Sequence, residues 1–357
     1  MNLSSPRKLL LISIGIPLFF FFLSLFWFLF TPPSETFNAK IITIKKGTPL
    51  KKISTVLEQE GIIRNKNFFI GLSILLGKKS GIKAGEYEFH ARMLPLEVLD
   101  TLVKGQMKRH LVTIPEGYTL SQIAQLLEDL SIVEKKIFLQ KASSPDFIAS
   151  LGLYPPGLNN AGLRTAMGRI EPTLEGYLFP DTYHLIKEMD PSEVIQMMAH
   201  QFHKVFGLNL ISRASELGMS QSEVVILSSI IEKETSLSEE KPLISAVFHN
   251  RLKRGIPLQS DPSVIYGIKN FDGNLTKEHL LKPTPYNTYL FTGLPPTPIC
   301  NPGKESILAA LYPASVPYLY FVSKNDGSHY FSLDIEEHQK AVWKYQKNPK
   351  KNGLTKR

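Results

Sequence analysis

The sequence predicts an α+β protein tied to a membrane by one N-terminal helix. Three observations predict it: an apolar run near the N-terminus, a strand-turn-helix pattern that occurs twice, and a C-terminal half in which amphipathic helices alternate with Pro- and aromatic-rich loops and one hairpin. With 357 residues and 43% hydrophobic content the chain can bury more than one core, so two or three folded units are expected and disorder is not.

The apolar run extends from Leu9 to Phe30, broken only by Ser13, Gly15, Pro17 and Ser24. That is enough for a helix to cross a bilayer, and it exceeds the apolar core of an ordinary signal peptide. Arg7 and Lys8 precede it, so the excess of positive charge keeps the N-terminus in the cytoplasm and the rest of the chain outside. Thr31-Pro32-Pro33-Ser34 offers no small-x-small cleavage site, and residues 31–39 are expected to be a linker leading out of the bilayer.

The repeat follows. Ile42-Thr43-Ile44-Lys45-Lys46-Gly47-Thr48-Pro49-Leu50-Lys51-Lys52-Ile53 is echoed by Val112-Thr113-Ile114-Pro115-Glu116-Gly117-Tyr118-Thr119-Leu120-Ser121-Gln122-Ile123. Each copy has an alternating strand, a Gly-containing turn, a Thr able to cap a helix, and apolar residues at helical spacing: Leu50, Ile53, Leu57 and Leu120, Ile123, Leu127. The spacing resembles the first half of LysM modules, which implies binding to N-acetylglucosamine-containing wall glycans. Gly85 to Phe89 reads as a strand and Pro95 to Val103 as a short helix, so residues 40–110 are expected to form a small LysM-like domain.

Pro145 to Arg169 reads as loop, with Pro155-Pro156-Gly157 as a breaker. Helical periodicity returns over Pro191–Phe206, Ser220–Thr235 and Pro242–Arg254, whereas Leu258 to Gly303 reads as ordered loops of the kind that form sites. Tyr318–Val322 and His329–Ser332 flank Lys324-Asn325-Asp326-Gly327-Ser328 as a hairpin. One cysteine, Cys300, excludes both a thiolate zinc site and an internal disulfide, and no cofactor or metal is expected. The formal charge of +9 is spread along the chain and gives no nucleic-acid signature, although the tail from Lys344 to Arg357 is basic.

The helix opening at Ser220, with Glu223 in capping-box position, carries the best catalytic candidate. At about 100° per residue, Glu234 falls within roughly 20° of the mean direction of the apolar side chains, and Glu232 falls opposite. A carboxylate on an apolar face at a helix C-terminus is costly to ionise and suited to act as a general acid. The competing reading is a side chain that simply reaches water or pairs with a buried Arg such as Arg251.

A wider pattern joins these residues. Leu174-Glu175-Gly176-Tyr177, Ser228 to Thr235 with its Glu232-Lys233-Glu234-Thr235 core, Phe248-His249-Asn250-Arg251-Leu252, Leu258-Gln259-Ser260-Asp261-Pro262, Tyr286-Asn287-Thr288-Tyr289, Gly293-Leu294-Pro295-Pro296 and Asn301-Pro302-Gly303 together resemble the endolytic murein transglycosylase family, also called YceG-like. The resemblance implies cleavage of the β-1,4 bond between N-acetylmuramic acid and N-acetylglucosamine within nascent strands, leaving 1,6-anhydro ends, with Glu234 catalytic and no cofactor. It implies a single-pass protein of the cytoplasmic membrane, peptidoglycan as substrate and peptidoglycan synthases as partners. The expected division is residues 1–8 cytoplasmic, 9–30 anchor, 31–39 linker, 40–110 LysM-like, 111–343 catalytic and 344–357 tail.

Asn250 and Arg251 are candidates for orienting sugar or peptide stem, with a structural ion pair as the other reading for Arg251. Gln259 and Asp261 are site candidates in a turn sequence, where Asp is also a routine turn residue, and Tyr266, Tyr286, Asn287 and Tyr289 have the amphipathic character wanted for sugar faces. His329, the remaining titratable candidate, reads on its hairpin strand as a packed or exposed residue rather than a catalytic one. Two other functions compete: a non-catalytic wall-binding or division scaffold, and a small-molecule lyase, which the anchor and the lack of a phosphate-binding lysine motif for pyridoxal phosphate oppose.

Overall fold

A computed structural model describes residues 6–34, 38–156, 163–165 and 167–347. The chain divides into two compact units, residues 1–110 with 184–188, and residues 111–183 with 189–357. Met1–Ser5, much of the 157–166 connection and the end of the basic tail lie outside the described residues.

The first unit begins with helix α1 (Pro6–Phe30), whose Ser13–Phe30 portion has a mean hydropathy of 2.2 and is long and apolar enough to cross a membrane. Strand β1 (Ala39–Ile44), helices α2 (Leu50–Gln59) and α3 (Lys66–Leu75), strand β2 (Gly85–His90) and helix α4 (Pro95–Lys104) follow. β1 and β2 pair antiparallel with Ile42 opposite Tyr87. Alternation turns Ile42, Ile44, Tyr87 and Phe89 inward against Leu57, Leu99 and Leu102, whereas Ile41 faces out.

The second unit starts within β3 (His110–Thr113), followed by α5 (Leu120–Asp129), α6 (Lys135–Ala142) and α7 (Pro145–Ser150). The segment expected to be loop from Pro145 therefore opens with a helix, Pro145 occupying the first turn where its missing N–H costs nothing. Short strands β4 (Leu163–Thr165) and β5 (Gly168–Ile170) pair antiparallel, and β6 (Thr182–Leu185) lies beside β3.

The strand-turn-helix repeat is present and is longer than the sequence pattern suggested. After α2, Ile62 N and Ile63 N both donate to Leu57 O; after α5, Ile132 N and Val133 N both donate to Leu127 O, seventy residues on, and a second helix follows in each copy. Only the second copy uses its Thr as a cap: Thr119 Oγ1 accepts from Gln122 N and Gln122 Oε1 from Thr119 N. In the first copy Pro49 takes the equivalent place, and Thr48 turns back to bond Lys45 O.

Helices α8 (Pro191–Val205), α9 (Leu208–Glu216), α10 (Gln221–Glu234) and α11 (Lys241–Lys253) form the helical body of the second unit. The region expected to be loop from Leu258 contains short helices α12 (Asp261–Tyr266) and α13 (Lys277–Leu281), and α14 (Lys304–Leu311) follows it. β7 (Tyr320–Ser323) and β8 (His329–Ser332) make the hairpin, with Phe321 opposite Phe331, and α15 (Ile335–Val342) continues as a π-helical turn through Lys347. Tyr345 O in that turn accepts from Asn325 Nδ2 at 2.7 Å, so the first residues of the basic tail are built into the unit.

α10 is the central element, with Val224 to Ile231 buried without exception, and α9, α11, α12 and α14 pack around it. Gly176 shows how tightly: its φ is +87°, and a Cβ there would lie 2.6 Å from Pro298 Cγ and 2.8 Å from Val225 Cγ1 on α10. Both the left-handed backbone and the missing space demand glycine. Gly176→Ala is expected to destabilise the second unit by about 3 kcal/mol or more, measurable as a lowered denaturation midpoint.

Candidate active site

Two carboxylates near the end of α10 have different surroundings. Glu232 Oε2 accepts from Gly303 N at 3.0 Å and Ser306 Oγ at 2.6 Å and pairs with the buried Lys241 Nζ at 3.4 Å. The approach requires Gly303, because a Cβ there would collide with the Glu116 carboxylate. Glu234, the last helical residue, accepts a single hydrogen bond among the described residues, from Ser260 Oγ at 2.5 Å.

Burial is the main reason the Glu234 carboxyl is raised from its usual 4.5 to about 7; the Ser260 bond pulls it down, Asp261 pushes it up and Arg251 opposes Asp261. The helical-phase argument reached Glu234 from a premise the structure corrects. Ser228 and Ser229, which should mark a polar face, are fully buried, their hydroxyls bonded back to Val224 O and Ile226 O. Between Val224 and Ile231 the helix has no solvent face, and the environment of each carboxylate is set by neighbouring segments.

Glu234 opens into a groove of roughly 400 Å³, within the range of small-molecule sites. Arg251, Gln259, Asp261, Tyr289, Phe321 and His329 also line it, with His338 and Gln346 from the C-terminal segments. Asp261 Oδ1 accepts from Tyr289 Oη at 2.6 Å. Among the described residues Arg251 makes no ion pair with Glu234; it donates to Leu319 O, Pro257 O and Leu258 O and to Gln259 Oε1, and its guanidinium lies 5.0 Å from the Tyr320 ring. It thereby ties α11 to β7 and to the loop that presents Ser260. Gln259 has φ of +51°, a strained conformation for a side-chain-bearing residue and the sort of strain found at functional sites. His329 Nδ1 is committed to Glu240 Oε2 at 2.6 Å, as befits a packed residue.

Four sequence candidates have their polar atoms engaged in internal bonds. Asn250 Nδ2 donates to Val316 O and Tyr318 O, and Asn287 Nδ2 to Leu280 O and Lys282 O. Tyr266 Oη donates to Glu175 Oε2, and Tyr286 Oη bonds Thr297 Oγ1. These residues stitch loops together and do not line the groove. Sequence reasoning passed over Ser260, which donates to the Glu234 carboxylate, although it stands in the Leu258-Gln259-Ser260-Asp261-Pro262 motif. It also passed over the role of Glu175, which accepts from Leu120 N, Tyr266 Oη and Asn301 Nδ2. Burial raises the Glu175 carboxyl to about 7. Next to Asn301, Cys300 is buried with its Sγ donating to Ser229 O at 3.3 Å. No group of three or more His, Cys, Asp or Glu placed to hold a metal ion occurs among the described residues.

The pattern defining the YceG-like family matches residues 42–344, most of the chain. The chain belongs to the YceG-like family. It is 32% identical over 308 residues to the endolytic murein transglycosylase of Bacillus subtilis, covering 85% of this chain and 84% of that protein. It is 29% identical over 330 residues to the endolytic murein transglycosylase of Streptococcus pneumoniae, covering 87% of this chain but 59% of the longer relative. The crystal structure of a YceG-like protein from Listeria monocytogenes superimposes with a TM-score of 0.59 at 32% identity, covering 85% of this chain and 98% of that one. The Listeria monocytogenes protein thus shares the mixed helix-and-strand architecture described above.

The two carboxylates lead to opposite stability effects. The Glu234 carboxyl is raised in the folded state, so its contribution is fully present below about 4.5 and is lost as pH rises through about 7. Glu234→Gln should therefore stabilise the protein by ~1–3 kcal/mol at pH 8 and change little at pH 5. Glu232→Gln should destabilise at both pH values by about 3 kcal/mol, because it strands the buried Lys241 charge. Melting of the two variants of the full chain in detergent, at both pH values, measures the contrast.

Proposed function

We propose that this protein is an endolytic lytic transglycosylase of peptidoglycan, cutting the β-1,4 bond between N-acetylmuramic acid and N-acetylglucosamine inside glycan strands. The observation that carries the reading is the singly bonded Glu234 carboxyl at about 7, facing a groove, in a member of a family whose curated relatives bear that activity in their names. Glu234 in its protonated form donates to the glycosidic oxygen as the bond breaks. The carboxylate so formed takes the proton of the muramic C6 hydroxyl, which attacks C1 of the same sugar and closes the 1,6-anhydro ring. The proton returns to Glu234, and the internal nucleophile brings its own proximity advantage.

Arg251, Gln259, Asp261 and Tyr289 are the substrate-facing residues in this proposal, and Asn250, Tyr266, Tyr286 and Asn287 keep their loops in place. Asp261 also supports a second reading. A further carboxylate on the same groove is what a hydrolase uses to activate water, and hydrolysis would leave reducing ends in place of anhydro ends.

Residues 40–110 are proposed as a LysM-like glycan-binding domain on the strength of the strand-turn-helix pattern, and residues 111–343 as the catalytic domain. α1 supports a single-pass anchor with Arg7 and Lys8 on the cytoplasmic side. Peptidoglycan synthases are proposed as neighbours, since nascent strands emerge beside the membrane.

Incubation of the reconstituted full chain with polymerised glycan, followed by mass analysis, should give anhydro-ended internal fragments that vanish in Glu234→Gln. Reducing-end products would establish the hydrolase in its place. Because the acid form of Glu234 is the active one, kcat/KM should fall as pH rises through about 7. Removing the Ser260 hydrogen bond with Ser260→Ala should move that alkaline limb to higher pH, and removing the Asp261 charge with Asp261→Asn should move it lower.

A further inference from the structure

We propose that α3 is a membrane-surface helix, its exposed apolar side seated in the outer boundary of the bilayer that α1 crosses. The proposal rests on the reading of α1 as a membrane span and adds a second point of contact to it.

α3 reads Lys66-Asn67-Phe68-Phe69-Ile70-Gly71-Leu72-Ser73-Ile74-Leu75 and continues into Leu76. Phe69 and Ser73 turn into the core of the first unit, but Leu75 is 83% exposed and its neighbours Ile74 and Leu76 are 55% and 44% exposed. Three consecutive large apolar residues in water are an unfavourable arrangement that a soluble surface avoids.

The contacts of α3 with α1 identify what covers it. The Phe68 ring lies 5.8 Å from that of Phe21 and 5.5 Å from that of Phe28, so it sits alongside α1 between those two levels. With Lys8 held at the cytoplasmic face, about 20 residues are needed to cross the hydrocarbon, which brings the outer boundary near Phe28. At 1.5 Å per residue Phe21 lies about 10 Å inside that boundary, and Phe68 therefore dips roughly 5 Å into it. This is the depth of helices that lie in the membrane interface.

The surrounding polar groups fit the same placement. Arg64 lies over the Trp27 ring at 4.0 Å and donates to Pro32 O at 2.5 Å, an aromatic and a cation at interfacial height. Lys66 opens α3, and Lys78 and Lys79 follow it. Residues 40–110 as a whole hold fourteen Lys and Arg against six Asp and Glu, which favours an anionic lipid surface over a second copy of the same basic chain.

The test uses the full chain in vesicles of phosphatidylglycerol and phosphatidylethanolamine. Single cysteines Phe22→Cys in α1, Leu75→Cys in α3 and Lys46→Cys in the turn beyond β1 are labelled with an environment-sensitive fluorophore, with buried Cys300 left in place and the unsubstituted chain as labelling control. Nitroxide lipids of two depths report insertion. Labels at 22 and 75 should both be quenched, 22 better by the deep nitroxide and 75 better by the shallow one, with 46 unquenched. A label at 75 that matches 46 while 22 is quenched overturns the α3 proposal and leaves the anchor standing. A blue-shifted but unquenched label at 75 overturns it too, since protein and not lipid would then cover the helix. No quenching at 22 defeats the anchor reading and the proposal with it.

Discussion

The second unit depends on burying α10 from every side. A helix enclosed for two full turns has no polar face to give away, so whatever charge it carries must be matched by other segments. That requirement explains the density of Asn, Gly, Pro and Tyr in the loops that surround it. Asn301 is the clearest case: its backbone O accepts from Gly117 N, its backbone N donates to Tyr118 O, its Oδ1 accepts from Leu178 N and its Nδ2 reaches Glu175. One residue, through backbone and side chain together, fastens three stretches of chain that have no regular pairing of their own.

Against that background the two glutamates of one motif show two outcomes of the same burial. Glu232 is matched by an ammonium, a hydroxyl and a backbone N–H, and it serves as a fastener between α10, α11 and α14. Glu234 is left with one hydroxyl and a neighbouring carboxylate, so its proton is retained to a pH where most carboxyls have lost theirs. The fold gives up stability at that position above neutral pH, and a proton available near neutrality is what the loss supplies.

Legibility in the sequence followed the physics of each signal. The α1 apolar run and the strand-turn-helix repeat are visible because they depend on local composition and period, although the second helix of each repeat is not: α3 is apolar on its exposed side as well as its buried one and α6 is short, so neither shows a helical stripe. Glu234 was reached through an amphipathic phase that α10 does not have, because the sequence around a helix says which residues are apolar but not what other segments lay against its serines. The same limit applies to Asn250, Tyr266, Tyr286 and Asn287. An amide or phenol in a loop has the same chemistry whether it holds a sugar or a carbonyl, and only the folded chain shows that these four hold the protein. Gln259 and Tyr289 carry the same amide and phenol groups yet face the groove, beside Asp261.

Cys300 sits beside this fastening network with its thiol enclosed and its pKa pushed upward by burial. A thiol that neither ionises nor meets solvent is a poor nucleophile and a poor target for oxidants. The chain therefore reaches its folded state with no sulfur chemistry to perform, and once folded it has no reactive thiol to cross-link or inactivate it, whatever the redox poise of the compartment in which it works.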